Sequence, residues 1–213
     1  DAAKAAGARR QIVVTGFGGA MVREAIGSQA ECVVQKEQLG TGHAVLQAKE
    51  LLAGEKGTLM VLCGDTPLLT PAALEKLAHE HEQQHAKATI LTAIFDDATG
   101  YGRIIRDADG SVMKIVEQKD ASEEEKKVLE ANAGIYCFDI EALFAALAKV
   151  TNDNAQGEYY LPDVIAILKN AGEKIWATAA DDAEDTLGIN SRLQLAGAEK
   201  ILRRRKCEEL MAD

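Results

Sequence analysis

Residues 58–95 read TLMVLCGDTPLLTPAALEKLAHEHEQQHAKATILTAIF, a short apolar run, a helical stretch and a second short apolar run. Residues 59–62 have the composition of a buried strand. Thr70 followed by Pro71 marks a helix start, an N-cap with proline in the first turn, so 71–85 is predicted helical. Residues 88–95 form the next strand. Short apolar runs separated by helices belong to a mainly parallel, doubly wound sheet, which makes the fold class α/β.

The same alternation extends upstream. Residues 12–14 and 32–34 read as strands, 20–26 and 44–52 as helices. After Asp97 the pattern changes: RIIRDADGSVMKIVEQ contains two alternating runs around Asp109-Gly110, the signal of an inserted antiparallel hairpin. An acidic helix (122–129), a strand (133–139), helices at 140–147 and 161–168 and a strand at 174–177 complete the prediction. NDNAQGEYY (152–160) is a polar loop. From Ser191 onward one long helix carries Leu195, Ala198, Ile201 and Leu202 on its apolar stripe. No internal repeat is present. The expected division is one domain over 1–190 and a linking helix over 191–213.

Composition narrows the function classes. Of 213 residues 47% are apolar, 27% charged and 4% aromatic, as in ordinary globular domains. A net charge of −10 gives no general attraction to nucleic acid or anionic membrane. A bound nucleotide would therefore need local help from backbone N–H groups, a few cations or a divalent metal. Four cysteines (Cys32, Cys63, Cys137, Cys207) without CxxC spacing argue against a disulfide or zinc framework and favour the cytoplasm. DAAKAAGARR at the start reads as the end of a helix closing at Gly7, so a preceding segment is expected to have been lost. Losing a sheet strand with it would leave a marginal, aggregation-prone protein.

Several polar motifs could carry chemistry. In VVQKEQLGTGHAV (33–45) a strand ends at Gln35, and Gly40 and Gly42 flank Thr41, which can cap a helix starting near His43. A ligand ring could lie on that glycine backbone while the Gln35 amide meets the imide edge of uracil. From the local sequence alone a plain strand-to-helix turn is the favoured reading. In VLCGDTPLL (61–69) the strand delivers Gly64 and Asp65 to its carboxyl end, where open α/β sheets bind ligands. A lone carboxylate there suits Mg²⁺, or is simply a turn residue. Asn190, in LGINSRLQL, could be a second oxygen ligand, with N-capping by Asn190 or Ser191 as the alternative. Gly102, Glu117 and Asn132 supply a backbone face, an acceptor for sugar hydroxyls and a mixed donor-acceptor.

Three features are discounted. QIVVTGFGGA lacks the spacing of a phosphate loop. In HEHEQQH, His81 and His85 extend the Leu74/Leu77 face while His79 points elsewhere, so the three cannot converge on a metal. Residues 203–206 (RRRK) read as a solvated face suited to a helix C-terminus.

In this order EQLGTGHA, CGDTPLL, GYGRI, VEQKDA, NDNAQGEYY and GINSRLQL resemble the bifunctional N-acetylglucosamine-1-phosphate uridyltransferase/glucosamine-1-phosphate acetyltransferase family, over essentially the whole chain. The resemblance implies a Rossmann-like nucleotidyltransferase fold. It also implies that UTP and N-acetylglucosamine 1-phosphate give UDP-N-acetylglucosamine, in a homo-oligomer that is trimeric in full-length members. By the same resemblance Gln35, Gly40 and Thr41 bind the uridine end, and Asp65 and Asn190 hold Mg²⁺ with Cys63 and Gly64 near the nucleotide. Gly102, Glu117 and Asn132 hold the sugar, with Tyr160 in the surrounding loop. Two departures stand out. The family's opening strand and glycine-rich loop would precede Asp1, and Ala133 replaces the usual Thr between Asn132 and Gly134. The acetyltransferase half would follow the last helix. Another sugar-1-phosphate nucleotidyltransferase, or a fragment that only binds the UDP-sugar, is the alternative.

Overall fold

The computed structural model describes residues 1–212. After a short helix α1 (Ala2–Ala5), strands β1 (Ile12–Thr15) and β2 (Glu31–Val34) pair in parallel across helix α2 (Gly19–Ile26). Helix α3 (Thr41–Leu46) leads through a 3-10 turn, Glu50–Leu52, into the main sheet. That sheet contains β3 (Thr58–Val61), β4 (Ala88–Ile94), β5 (Arg103–Arg106), β6 (Val112–Val116), β7 (Glu130–Asp139) and β8 (Ile175–Ala179). Its order is β6-β5-β7-β4-β8, and β3 pairs with β7 beside β5.

Strands β3, β4, β5 and β8 run one way, and β6 and β7 oppose them. The shared direction is the predicted α/β wind, and β5–β6 is the predicted hairpin. β7 is the strand that shapes the site. On one side it pairs with β4 along its length. On the other, 136–139 pair with β3 and Ala131 pairs with Arg103 of β5. Its register shifts where Leu91 faces Ile135 and Thr92 faces Asn132, which bulges 133–134 out of the ladder.

The period of two along β7 divides the core. Tyr136 and Phe138 join Ile90, Leu143 and Ile165 under α5 (Ile140–Leu147) and α6 (Asp163–Asn170). Ile135 and Cys137 join Leu91, Leu74 and Leu77 under α4 (Pro71–Gln83). Each such buried aliphatic side chain contributes about 1.5–3 kcal/mol. As predicted, the Thr70 hydroxyl caps α4, accepting from Ala73 N at 3.3 Å.

Some local expectations are corrected. The stretch 122–129 is not an α-helix but a single 3-10 turn, Glu125–Lys127. Ser122 and Glu125 do form a reciprocal cap, Ser122 N to Glu125 Oε2 at 2.9 Å and Glu125 N to Ser122 Oγ at 3.3 Å. Val128 is nevertheless already extended toward β7, and no second turn fits. The predicted 44–52 helix is divided between α3 and the 3-10 turn. His85 lies beyond α4 with φ 48° and so leaves the helix face assigned to it.

The last helix, α7 (Arg192–Ala212), buries Ala198, but Leu195 and Leu202 of its stripe stay 55% and 47% exposed. Its arginines are not merely solvated, and they sit mid-helix rather than at its end. Arg204 pairs with Glu184, while Arg205 donates to Asp185 at 2.6 Å and to Leu68 O at 2.9 Å. These contacts clamp α7 to the loop that precedes it. No helix among the described residues is long and apolar enough to cross a membrane.

Candidate functional site

The carboxyl end of β3, the amino end of β5 and the β7 bulge meet in one place, and the polar motifs collect there. Cys63 lies just beyond Val61, the last residue of β3; the residue is exposed overall, but its sulfur is turned in against Gly134. Its thiol donates to Gly134 O at 3.3 Å. Gly134 has φ 73°, which favours glycine, and a Cβ there would crowd the Cys63 sulfur at 3.0 Å. Desolvation, followed by the nearby Asp65 and Glu117 carboxylates, pushes the Cys63 thiol up to about 11. The thiol therefore stays protonated at neutral pH, a hydrogen-bonding group rather than a nucleophile.

Gly64 and Asp65 form an exposed turn immediately beyond. Asp65 O accepts from Ile189 N at 2.8 Å, which draws 188–190 alongside. A Cβ on Gly188 would lie 3.6 Å from Asp65 Oδ2 and 3.8 Å from Asn190 Nδ2, so the two side chains flank one glycine. The capping alternative for Asn190 is resolved by α7. Ser191 Oγ accepts from Gln194 N at 3.2 Å, and Gln194 Oε1 accepts from Asn190 N at 2.7 Å. Ser191 is the cap, and the Asn190 carboxamide is left uncommitted. Among the described residues no three or more His, Cys, Asp or Glu side chains gather around a metal-sized space. A hard cation that takes one or two protein oxygens and fills its shell with phosphate and water needs no such gathering.

Gly102, Glu117 and Asn132 also come together. Asn132 N donates to Gly102 O at 2.9 Å, and a Cβ on Gly102 would lie 3.2 Å from Glu117 Oε1. Asn132 is buried, with Nδ2 donating to the Tyr136 hydroxyl at 2.6 Å and Oδ1 accepting from Gly134 N at 3.0 Å. Burial, then Asp120 and Asp163, raise the Glu117 pKa above its ordinary value. Asp120 ties in the polar loop: it accepts from Ala155 N at 2.9 Å and from the Tyr160 hydroxyl at 3.4 Å.

The Gln35 loop packs on the continuation of that polar loop. Tyr159 N donates to Leu39 O, and Gly42 N donates to Tyr159 O, both at 2.8 Å. Gly40 has φ 108°, and a Cβ there would meet Tyr159 O at 2.7 Å, which explains the glycine directly. Thr41 does not cap α3. Gly40 occupies the cap position, and the Thr41 hydroxyl instead accepts from Leu161 N at 3.0 Å. Sequence reasoning missed Tyr136, Asp120 and His43 as partners of the candidate residues. Asp120 lay within a motif singled out, whereas nothing local marks the contact of Asn132 with Tyr136 or of Gln35 with His43.

The fold, with polar residues gathered at the carboxyl end of β3, is that of a nucleotide-handling α/β enzyme, and the chain belongs to the nucleotidyl transferase family, whose sequence profile matches residues 2–194. It is similar to proteins named bifunctional protein GlmU. That of Exiguobacterium sp. strain AT1b is 55% identical over 207 residues, 97% of this chain and 46% of the relative. That of Bacillus subtilis strain 168 is 55% identical over 194 residues, 91% of this chain and 42% of the relative. The protein of Caldanaerobacter subterraneus subsp. tengcongensis is 54% identical over 211 residues, covering 99% and 46%. The chain spans about half the length of the curated relatives it matches.

Proposed function

We propose that this chain transfers uridylate from UTP to N-acetylglucosamine 1-phosphate, giving UDP-N-acetylglucosamine and pyrophosphate. The observation that carries the proposal is the pair Asp65 and Asn190 flanking Gly188, next to the Gly102–Glu117–Asn132 group. The similarity to the GlmU relatives supports the choice of substrates.

In this reading Gln35, Gly40 and Thr41 receive the uracil and its ribose, with Cys63 and Gly64 along the nucleotide. Glu117 and Asn132 bind sugar hydroxyl and acetamido groups, Gly102 offers its backbone, and Tyr160 braces the loop over them. Asp65 and the Asn190 carbonyl oxygen would hold Mg²⁺, and both are hard oxygen donors whose side chains make no hydrogen bond among the described residues. When bound, Mg²⁺ supplies charge neutralisation and Lewis acidity at the phosphates. No side-chain nucleophile is required, because the sugar-phosphate oxygen attacks the α-phosphorus in line and pyrophosphate leaves. The protein's share is alignment of the two phosphates and exclusion of competing geometries. The same proposal assigns 1–190 to the nucleotidyltransferase unit and α7 to a linking arm. It places the protein in the cytoplasm as a homo-oligomer, with no nucleic-acid or membrane partner.

Asp65→Ala tests the metal assignment. The carboxylate is exposed and makes no side-chain hydrogen bond or ion pair among the described residues, so stability should change by less than about 0.5 kcal/mol. Pyrophosphate release from UTP and N-acetylglucosamine 1-phosphate should fall about 100-fold or more. Wild-type turnover in the variant would refute the assignment.

A further inference from the structure

The Gln35 carboxamide is buried and its nitrogen is held twice: Nε2 lies 3.1 Å from Gly40 O and 3.0 Å from His43 Nδ1. A carbonyl oxygen can only accept, so the Gly40 contact fixes which end of the amide is nitrogen. With one N–H on Gly40 O and the other on His43, Oε1 is the free end. It has no hydrogen-bond partner among the described residues, yet it is not sealed from solvent.

His43 meets a second amide on its far side. Its Nε2 lies 3.1 Å from Gln47 Nε2, which also donates to His43 O at 3.0 Å. A neutral imidazole has one ring lone pair to give, so it cannot accept from both amides. Gln47 is half-buried just past the end of α3 and can swing its amide off the ring, giving up its contacts with His43, whereas Gln35 is buried and has no such freedom. Gln35 cannot turn without setting two oxygens, its own and that of Gly40, against each other. The ring therefore keeps its proton on Nε2 and offers Nδ1 to Gln35.

Resting on the reading that this loop receives the pyrimidine, we infer that His43 is a positioning residue for base selection. Together with Gly40 it occupies both amide protons of Gln35, so the base edge meets an acceptor and no donor. Uracil carries an N3–H that completes the bond. Cytosine carries a bare N3, and lone pair would face lone pair.

The test is competition of UDP and CDP against UDP-N-acetylglucosamine on this chain, for the wild type, His43→Leu and His43→Asn. Leucine keeps bulk without an acceptor, while the asparagine Oδ1 falls close to the position of Nδ1. The wild type should prefer UDP. His43→Leu should lose about fivefold of that preference, the worth of one hydrogen bond, and His43→Asn should retain it. An unchanged preference in His43→Leu, or equal losses in both variants, would overturn the inference while leaving the function intact. Failure of the wild type to bind UDP-N-acetylglucosamine would instead overturn the functional reading, and the inference with it.

Discussion

Glu117 shows how the chemistry of the site is written in single side chains. It packs beside Gly102 with burial, Asp120 and Asp163 all raising its pKa above the ordinary 4.5. A carboxyl group whose folded pKa is raised contributes stability that is full below 4.5 and is lost as pH rises through the folded value. Glu117→Gln should therefore raise Tm at pH 8, with the gain vanishing toward pH 4, while it weakens UDP-N-acetylglucosamine binding. A lower Tm at pH 8 would contradict this account of Glu117. The role of such a residue was legible only in part. Asp65 could be singled out because it follows an apolar strand, and open α/β sheets bind ligands at the carboxyl ends of their strands. Thr41 was misread because its partner, Leu161 N, is 120 residues away. The local sequence offered only the helix that follows.

At the scale of elements, β3, α4 and β4 follow from residues 58–95 almost residue by residue, because cap, apolar spacing and strand composition agree there. Leu74 and Leu77 are fully buried between α4 and the sheet. Leu74→Ala should cost about 3 kcal/mol, read as a lower urea midpoint at unchanged slope. A cost below about 1 kcal/mol would mean that α4 is not packed as described. The acidic stretch 122–129 failed as a helix for a reason that local sequence does not carry. The long strand β7 claims Glu130 onward, so Val128 and Leu129 must extend to reach it. The β7 bulge was equally silent, although Gly134 between two apolar runs marks it in hindsight. Without the bulge, Asn132 would not be turned back toward Gly134 and Tyr136.

Across the whole molecule, charge is the deciding quantity. The chain carries −10, and Glu117, Asp120 and Asp163 interact with one another beside Gly102 while Asp65 stands exposed beyond β3. A nucleotide diphosphate brought to such a surface meets repulsion unless a cation intervenes. Affinity should thus depend on Mg²⁺ far more than on general ionic strength. Arg204 and Arg205 tie the middle of α7 to Glu184 and Asp185, and Ile189 N on Asp65 O keeps Asn190 beside Asp65. The most direct measurement is calorimetric titration of UDP-N-acetylglucosamine into this chain with and without Mg²⁺. The account predicts saturable one-site binding that tightens clearly when Mg²⁺ is added. No binding in the presence of Mg²⁺, or binding indifferent to it, would contradict the assignment of the site.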